Sequence, residues 1–381
     1  MVEITVERMK KPALLIATAI LSVAFALLIG AVIILATGSD PLHVYAVLVR
    51  GAFSGKANLT ETAVKSATLL LTGLSYAFAI KCGVVNLGAE GQLYMGAAFS
   101  TTAGIYLTFL PGPLHMLFAI LAGFVGGALW GGIVGFLKAK FNVNEIITSL
   151  MLNYVAINFV SFLVNNPIKD DTQTFPVSYA VSGGARLPIL LSGTRLNAGV
   201  LIALACLLIY MIFFKYTSRG YRMSLIGQNK ECARYAGFNV RKNMLVALVI
   251  GGGFAGLGGA VEILGVQHRL FEHFSVGYGF EGIAAALLAN GNPLAMLFTS
   301  FLFGGLRNGG NAIQMFTDVS STLVSIVQSV VIIMVIARVF MHMPGIGKKR
   351  NRQGPSDDGH HSEGSNAAAP PGEAGQGGYA E

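Results

Sequence analysis

Long apolar runs alternate with short polar breaks along this chain, and the run lengths decide its class. Pro12–Ala36, Thr60–Ile80, Leu93–Leu110, Leu114–Leu137, Ile146–Val164, Ala198–Phe214, Met244–Leu264 and Ser320–Phe340 are each long enough to cross a bilayer as a helix. Asp40–Lys56 sets His43, Arg50 and Lys56 among apolar residues and reads as an amphipathic surface helix. Tyr278–Arg307 reads as two short helices hinged at Asn290-Gly291-Asn292-Pro293, a returning or re-entrant pair. The fold expected is therefore an all-α polytopic membrane protein of about eight to ten segments, some of them broken.

The break at Lys81–Ala97 carries the most chemistry, because it sets Asn86, Glu90 and Gln92 among glycines between two apolar runs. In lipid every backbone N–H and C=O needs an internal partner, so such a break must be buried in protein or line a wet cavity. A carboxylate such as Glu90 is costly at depth unless it is paired or hydrated. Asn290 and Asn292 mark the second break, and Glu281 lies upstream of it. Gly88-Ala-Glu90-Gly91 and Gly279-Phe-Glu281-Gly282 echo one another, which suggests two related halves.

Gly123, Gly127, Gly131 and Gly135 recur every fourth residue and predict a face for close helix approach. Asn142-Val-Asn-Glu145 has the form of a capping box opening the next helix. On that helix Glu145, Thr148, Ser149 and Asn153 share one sector, which places them on a common aqueous path. The stretch Asn165–Asn197, rich in Pro and Gly, is long for a bundle connection and reads as an external binding loop.

Only 12% of the 381 residues are charged, and 54% are hydrophobic. The net charge of +8 is concentrated: seven basic residues between Lys215 and Lys242 face one acid, Glu231. The positive-inside rule makes that loop cytoplasmic and the 165–197 loop external, with both termini inside. Residues 1–346 then form the membrane domain, with 216–243 as its cytoplasmic loop. Residues 347–381 read as a disordered cytoplasmic tail. Nothing here presents a basic face to nucleic acid. Cys82, Cys206 and Cys232 have no paired spacing, and the seven His form no ligand pair, so neither a disulfide framework nor a metal site is expected.

Within the basic loop, Gln228–Gly237 has the composition of a short isolated helix with Asn229 as N-cap and Gly237 just past its end. Such a knob suits docking. Glu231, Ala233 and Gly237 match the Glu-Ala-Ala-x-x-x-Gly pattern of the coupling loop in ABC importer permeases, with Cys232 in place of the first alanine and Arg234 following. Asn86-Leu-Gly-Ala-Glu-Gly-Gln92, Asn144-Glu-Ile-Ile-Thr148 with Met151-Leu-Asn-Tyr154, and Gly282-Ile-Ala-Ala-Ala-Leu-Leu288 extend the likeness. Over roughly Thr60 to Ala337 the chain resembles the permeases of the branched-chain amino acid, ribose and nucleoside import class, with most similarity to the nucleoside and simple-sugar subgroup.

The resemblance implies a permease subunit in a bacterial or archaeal cytoplasmic membrane. It also implies an ATPase subunit that uses ATP and Mg²⁺, a second permease, most simply a different chain, and an extracytoplasmic substrate-binding protein. This chain has no Gly-x-x-x-x-Gly-Lys-Ser/Thr phosphate loop and needs no cofactor of its own. Asn86, Glu90, Gln92, Asn153, Glu281, Asn290 and Asn292 are the expected solute path, since amides both donate and accept hydrogen bonds. Asn229, Glu231, Ala233, Arg234 and Gly237 are the expected ATPase contact. A nucleoside is the leading solute and a simple sugar the alternative. An ion-coupled carrier titrating Glu90, Glu262 or Glu281 is a rival that would need no isolated cytoplasmic helix. A membrane scaffold fits poorly with polar breaks at depth, and no nucleophile, base and orienting group assemble into an enzyme site.

Overall fold

A computed structural model describes residues 28–317 apart from 33, 37 and 276, together with 326, 329 and 330. The 12–36 run lies largely, and the 320–340 run and the 347–381 tail almost or wholly, outside the described residues. Among the described residues the structure is helical, and extended pairing is limited to isolated bridges such as Lys169 with Ser178. The helices are α1 (Pro41–Phe53), α2 (Gly55–Lys81), α3 (Ala89–Tyr106), α4 (Gly112–Phe141), α5 (Glu145–Asn165) and α6 (Gly199–Tyr216). Then follow α7 (Ser218–Gln228), α8 (Lys230–Tyr235), α9 (Val240–Glu262), α10 (Tyr278–Leu288) and α11 (Pro293–Phe316). Five of these helices, α2, α4, α5, α6 and α9, are long and apolar enough to span a membrane.

The central element is α2, with 89% of its apolar stretch buried inside the chain against 22% for α5. Its 27 residues run about 40 Å and give the bundle two ends, a Gly55 end and a Lys81 end. The glycine ladder of α4 meets a second ladder on α9: a methyl group on Gly256 would sit 2.9 Å from the Gly127 Cα, and one on Gly131 would sit 3.1 Å from the Gly252 Cα. The expected packing face is therefore real, and its partner is glycine as well. Backbones in such contact gain dispersion at close range without burying polar side chains.

Two helices start part-way through the bundle. After Lys81 the chain runs extended through Cys82–Gly88 before α3 begins. The start of α10 lies beside Thr72, and this helix then descends alongside α2 to a turn at Ala289–Asn292 near Lys81. There Asn290 is left-handed (φ 49°), and Asn292 caps α11 by accepting from Leu294 N and Ala295 N. The hinge falls where expected, but α11 is not a short half-helix. Its 24 residues return to the Gly55 end, where Asn308 meets Thr62 and Gly309 packs on Leu48 of α1.

One local expectation needs correction. The N-cap of α5 is Asn144, which accepts from Ile146 N and Ile147 N, not Asn142. Asn142 is the left-handed residue (φ 53°) that ends α4, a role its short side chain tolerates. The amphipathic α1 exists, capped by Asp40, and buries Val44, Gly51 and Ala52 on the side facing α11.

Candidate functional site

The Cys82–Gly88 break is closed by a ring of amides. Asn86 Nδ2 donates to Ser75 Oγ (2.9 Å) and Gln92 Oε1 (3.0 Å), and Gln92 Nε2 returns a bond to Asn86 Oδ1 (3.1 Å). Asn86 Oδ1 also accepts from Gly88 N, and Ser75 Oγ donates to Gln92 Oε1. From α5, Asn153 reaches across to accept from Gly91 N (2.8 Å) and donate to Leu87 O (2.9 Å). Glu90 accepts from Ser275 Oγ (2.7 Å) and from Gly279 N in the first turn of α10 (2.5 Å). A carboxylate at that position meets the positive end of the helix dipole. Through this bond the two sequence echoes, around Glu90 and around Gly279, touch one another.

All four side chains are buried, at 0 to 3% exposure. Their polar atoms are spent on one another and on the backbone groups the break would orphan, as burial away from water requires. Glu145, grouped with Asn153 by helical phase, forms an ion pair with Lys138 at 2.9 Å instead. Thr148 bonds back to Asn144 O, and Ser149 is buried. The polar sector of α5 is thus real, but it faces the chain interior.

A second polar group lies nearer the Gly55 end. Asn58, Glu61, Lys65, Thr68, Thr72 and Ser75 recur along α2 at alternating spacings of three and four, one stripe of the helix. Lys65 reaches Glu61 (3.9 Å) and Asn308 Oδ1 (3.4 Å). Thr68 donates to Glu262, which also accepts from Gln267 in the π-turn that ends α9. Glu281 pairs with Arg307 at 2.9 Å, and the Arg307 guanidinium lies 3.8 Å from the Tyr278 ring centroid. Of these ionisable groups the sequence alone points only to Glu262 and Glu281. The alternation of spacings was the missed signal.

The Lys81 end carries α7 and α8. Thr217 caps α7, whose Gly227 packs backbone-to-backbone on Lys81 and Gly83. Asn229 then caps α8 by accepting from Glu231 N and Cys232 N, both at 3.0 Å. Gly237 leaves the helix in the left-handed region (φ 80°), with nothing near where a side chain would go. Ala233 is buried and anchors α8; Glu231 and Arg234 pair on its exposed side, and Tyr235 is 91% exposed. The expected capped helix forms with the expected caps. Asn290 and Asn292 lie at this end too, in the α10–α11 turn and apart from the amide ring.

At the other end the 165–197 loop is tied down across the bundle. Ser178 N donates to Leu270 O, Val181 N to His268 O and Leu187 N to Leu264 O. Asp170 pairs with Arg269 at 2.7 Å. The Thr172 hydroxyl and Arg269 hold its carboxyl below the usual carboxylate range.

A profile of the family described as "Branched-chain amino acid transport system / permease component" matches residues 58–336. The chain belongs to that family. The permease is 35% identical over 347 residues to the glucose ABC transporter permease protein TsgB13 of Haloferax volcanii, covering 88% of this chain and 91% of the relative. It is 33% identical over 322 residues to the guanosine ABC transporter permease protein NupP of Bacillus subtilis, covering 83% and 91%. Against the nucleoside ABC transporter permease protein NupB of Lactococcus lactis the identity is 33% over 299 residues, covering 76% and 82%. The matched residues 58–336 take in both the amide ring and α8.

Proposed function

We propose that this permease carries nucleosides inward across a cytoplasmic membrane, driven by a separate ATPase subunit that consumes ATP with Mg²⁺. The single observation that carries the coupling is α8, a capped six-residue helix with Tyr235 exposed at the Lys81 end, outside the apolar spans. With seven basic residues around it, that end is the cytoplasmic one. Asn229, Glu231, Ala233, Arg234 and Gly237 form the ATPase contact, with Asn229 and Gly237 setting its shape and Glu231 and Arg234 its charge.

The extended segment under Gly227 carries motion from α7 and α8 to the amide ring. ATPase states that hold α8 differently shift the permease between inward and outward access, since only differential contact moves such an equilibrium. Asn86, Glu90, Gln92 and Asn153 hold the break in the present state and meet a solute only when the ring opens. A second permease and an external binding protein complete the importer, the binding protein seating on the tied 165–197 loop.

Nucleosides as solute are supported by the guanosine and nucleoside permeases among the relatives. The glucose permease supports a simple sugar as the second reading. The test is co-purification of this chain in mild detergent with its ATPase and second permease, followed by uptake of labelled guanosine and labelled glucose in vesicles carrying the complex. ATP-dependent guanosine uptake is expected. Glucose uptake alone would transfer the assignment to the sugar reading, and a chain that purifies without an ATPase would overturn the coupling.

A further inference from the structure

The open face of α4 marks where hydrocarbon gives way to headgroups at the Lys81 end of the bundle. Every exposed residue from Leu114 to Phe136 is Leu, Val, Ile or Phe, and the first charges after them are Lys138 and Lys140. Lys140 Nζ lies 5.4 Å from the ring centroids of both Phe136 and Phe141. Aromatic rings with a cation reaching past them belong to the interface between lipid and water.

At that level a cleft of about 520 Å³ opens between the end of α4, the helix α8 and the start of α9. Ala139, Phe238 and the buried Met244 give it an apolar wall. One turn further into the bundle α4 and α9 are in close contact, since a methyl group on Gly135 would sit 3.1 Å from Leu245 Cα.

Four cations line the cleft, Lys138, Lys230, Arg234 and Arg241, against one acid, Glu231. Two of the four are already paired, Lys138 with Glu145 at 2.9 Å and Arg234 with Glu231 at 3.3 Å. The exposed side chains of Lys230 and Arg241 make no hydrogen bond or ion pair among the described residues. The Lys230 stem rests on Gly83, its Cε 3.2 Å from where a methyl group there would lie, so this cation is anchored beside the 82–88 break. Two unpaired cations at one cleft raise the local potential, and an anion between them relieves it.

We propose that this cleft holds the phosphate of an anionic phospholipid from the cytoplasmic leaflet, with Lys230 and Arg241 on its oxygens and its acyl chains along the apolar face of α4. The proposal rests on the ABC-permease reading, which makes this end cytoplasmic. Depth favours a lipid over a soluble anion: the cleft opens where α4 leaves hydrocarbon, and its apolar wall suits a glycerol backbone. Basic pockets between spans on the cytoplasmic side take such headgroups. The Arg241 guanidinium matches two phosphate oxygens at once, and the Lys230 ammonium adds a point charge. A lipid seated there joins the ends of α4 and α9 to α8.

The test purifies the permease with its partners in a neutral detergent, titrates phosphatidylglycerol into it and counts bound lipid by native mass spectrometry. The parent is compared with Lys230→Gln, Arg241→Gln, both together, and Arg219→Gln, an exposed cation of α7 outside the cleft. One juxtamembrane Lys or Arg is worth about fivefold in affinity for anionic lipid. Each single cleft variant is therefore expected to bind phosphatidylglycerol about fivefold more weakly and the double variant about 25-fold, with Arg219→Gln unchanged. Phosphatidylcholine should not distinguish the parent from the double variant, and excess glycerol 3-phosphate should not displace the bound lipid.

Equal phosphatidylglycerol binding by parent and double variant would overturn the proposal. Loss of the ATPase from the double variant with lipid binding unaltered would also overturn it, giving the two cations to the ATPase interface. Displacement by glycerol 3-phosphate would make the cleft a soluble-phosphate site and remove the lipid. A permease that purifies without an ATPase yet binds phosphatidylglycerol through Lys230 and Arg241 keeps the site and removes the coupling reading instead.

Discussion

Asn153 and Asn158 are the same residue type five positions apart on one helix, in opposite surroundings: Asn153 is buried and bonded across to the 81–91 break, and Asn158 is exposed and bonds within its own helix. Asn153→Ala removes the acceptor of Gly91 N and the donor to Leu87 O, at 2.8 and 2.9 Å. A buried backbone group left without a partner costs about 1–3 kcal/mol. Hydrogen bonds between helices in bilayers average about 0.6 kcal/mol with a maximum near 1.7. The two bonds together give an expected loss of about 1–3 kcal/mol, or several degrees in Tm at about 2–4 °C per kcal/mol. Asn158→Ala removes only a bond within its helix on the open face and is expected to stay within about 0.5 kcal/mol of the parent.

The assay is thermal unfolding in detergent followed by size-exclusion chromatography, run beside uptake normalised to inserted protein. Asn153→Ala should lower Tm and recovered protein, and Asn158→Ala should leave both unchanged. An Asn153→Ala variant as stable as the parent would refute the brace, whatever its rate of transport.

Gly127→Ala drives a methyl group into the backbone of Gly252 and Gly256 and is expected to cost about 1–3 kcal/mol of overpacking, seen as lost monodisperse protein, whereas Gly132→Ala, 3.4 Å from Val249 Cγ2, should be tolerated. Asn229→Ala leaves the Glu231 and Cys232 N–H groups uncapped, costing α8 about 1 kcal/mol. ATP-dependent uptake should fall while insertion holds, and unchanged uptake would remove α8 from coupling. Asp170, held below its usual range by Thr172 and Arg269, stabilises the 165–197 loop above its unfolded pKa of about 3.9, and that stability is lost as pH falls further. Protease cleavage within residues 165–197 should therefore rise in acid, and Arg269→Ala should shift the onset to higher pH.

Several features were legible because they are local. Asn229 and Gly237 bound α8 as their side-chain chemistry dictates, and the ladder from Gly123 to Gly135 marks a face wherever a partner comes from. The capping of α5 was half legible. Asn142 and Asn144 both suit a cap, and the choice fell on Asn144 because Asn142 is used in the left-handed exit from α4.

Run length and polarity alone determined a helical membrane protein with polar breaks near residues 81–97 and 289–292, because lipid admits few other solutions. Tertiary structure decided which polar groups satisfy one another. Asn153 bonds a residue 62 positions away and Glu90 one 189 positions away, separations at which no local pattern names the partner. It also decided which side of α5 stays open: α3 and α4 cover the Ser149 and Asn153 side, leaving Tyr154 and Asn158 outward. Helical phase fixes which residues share a face, and only the packing of the neighbouring helices fixes where that face points.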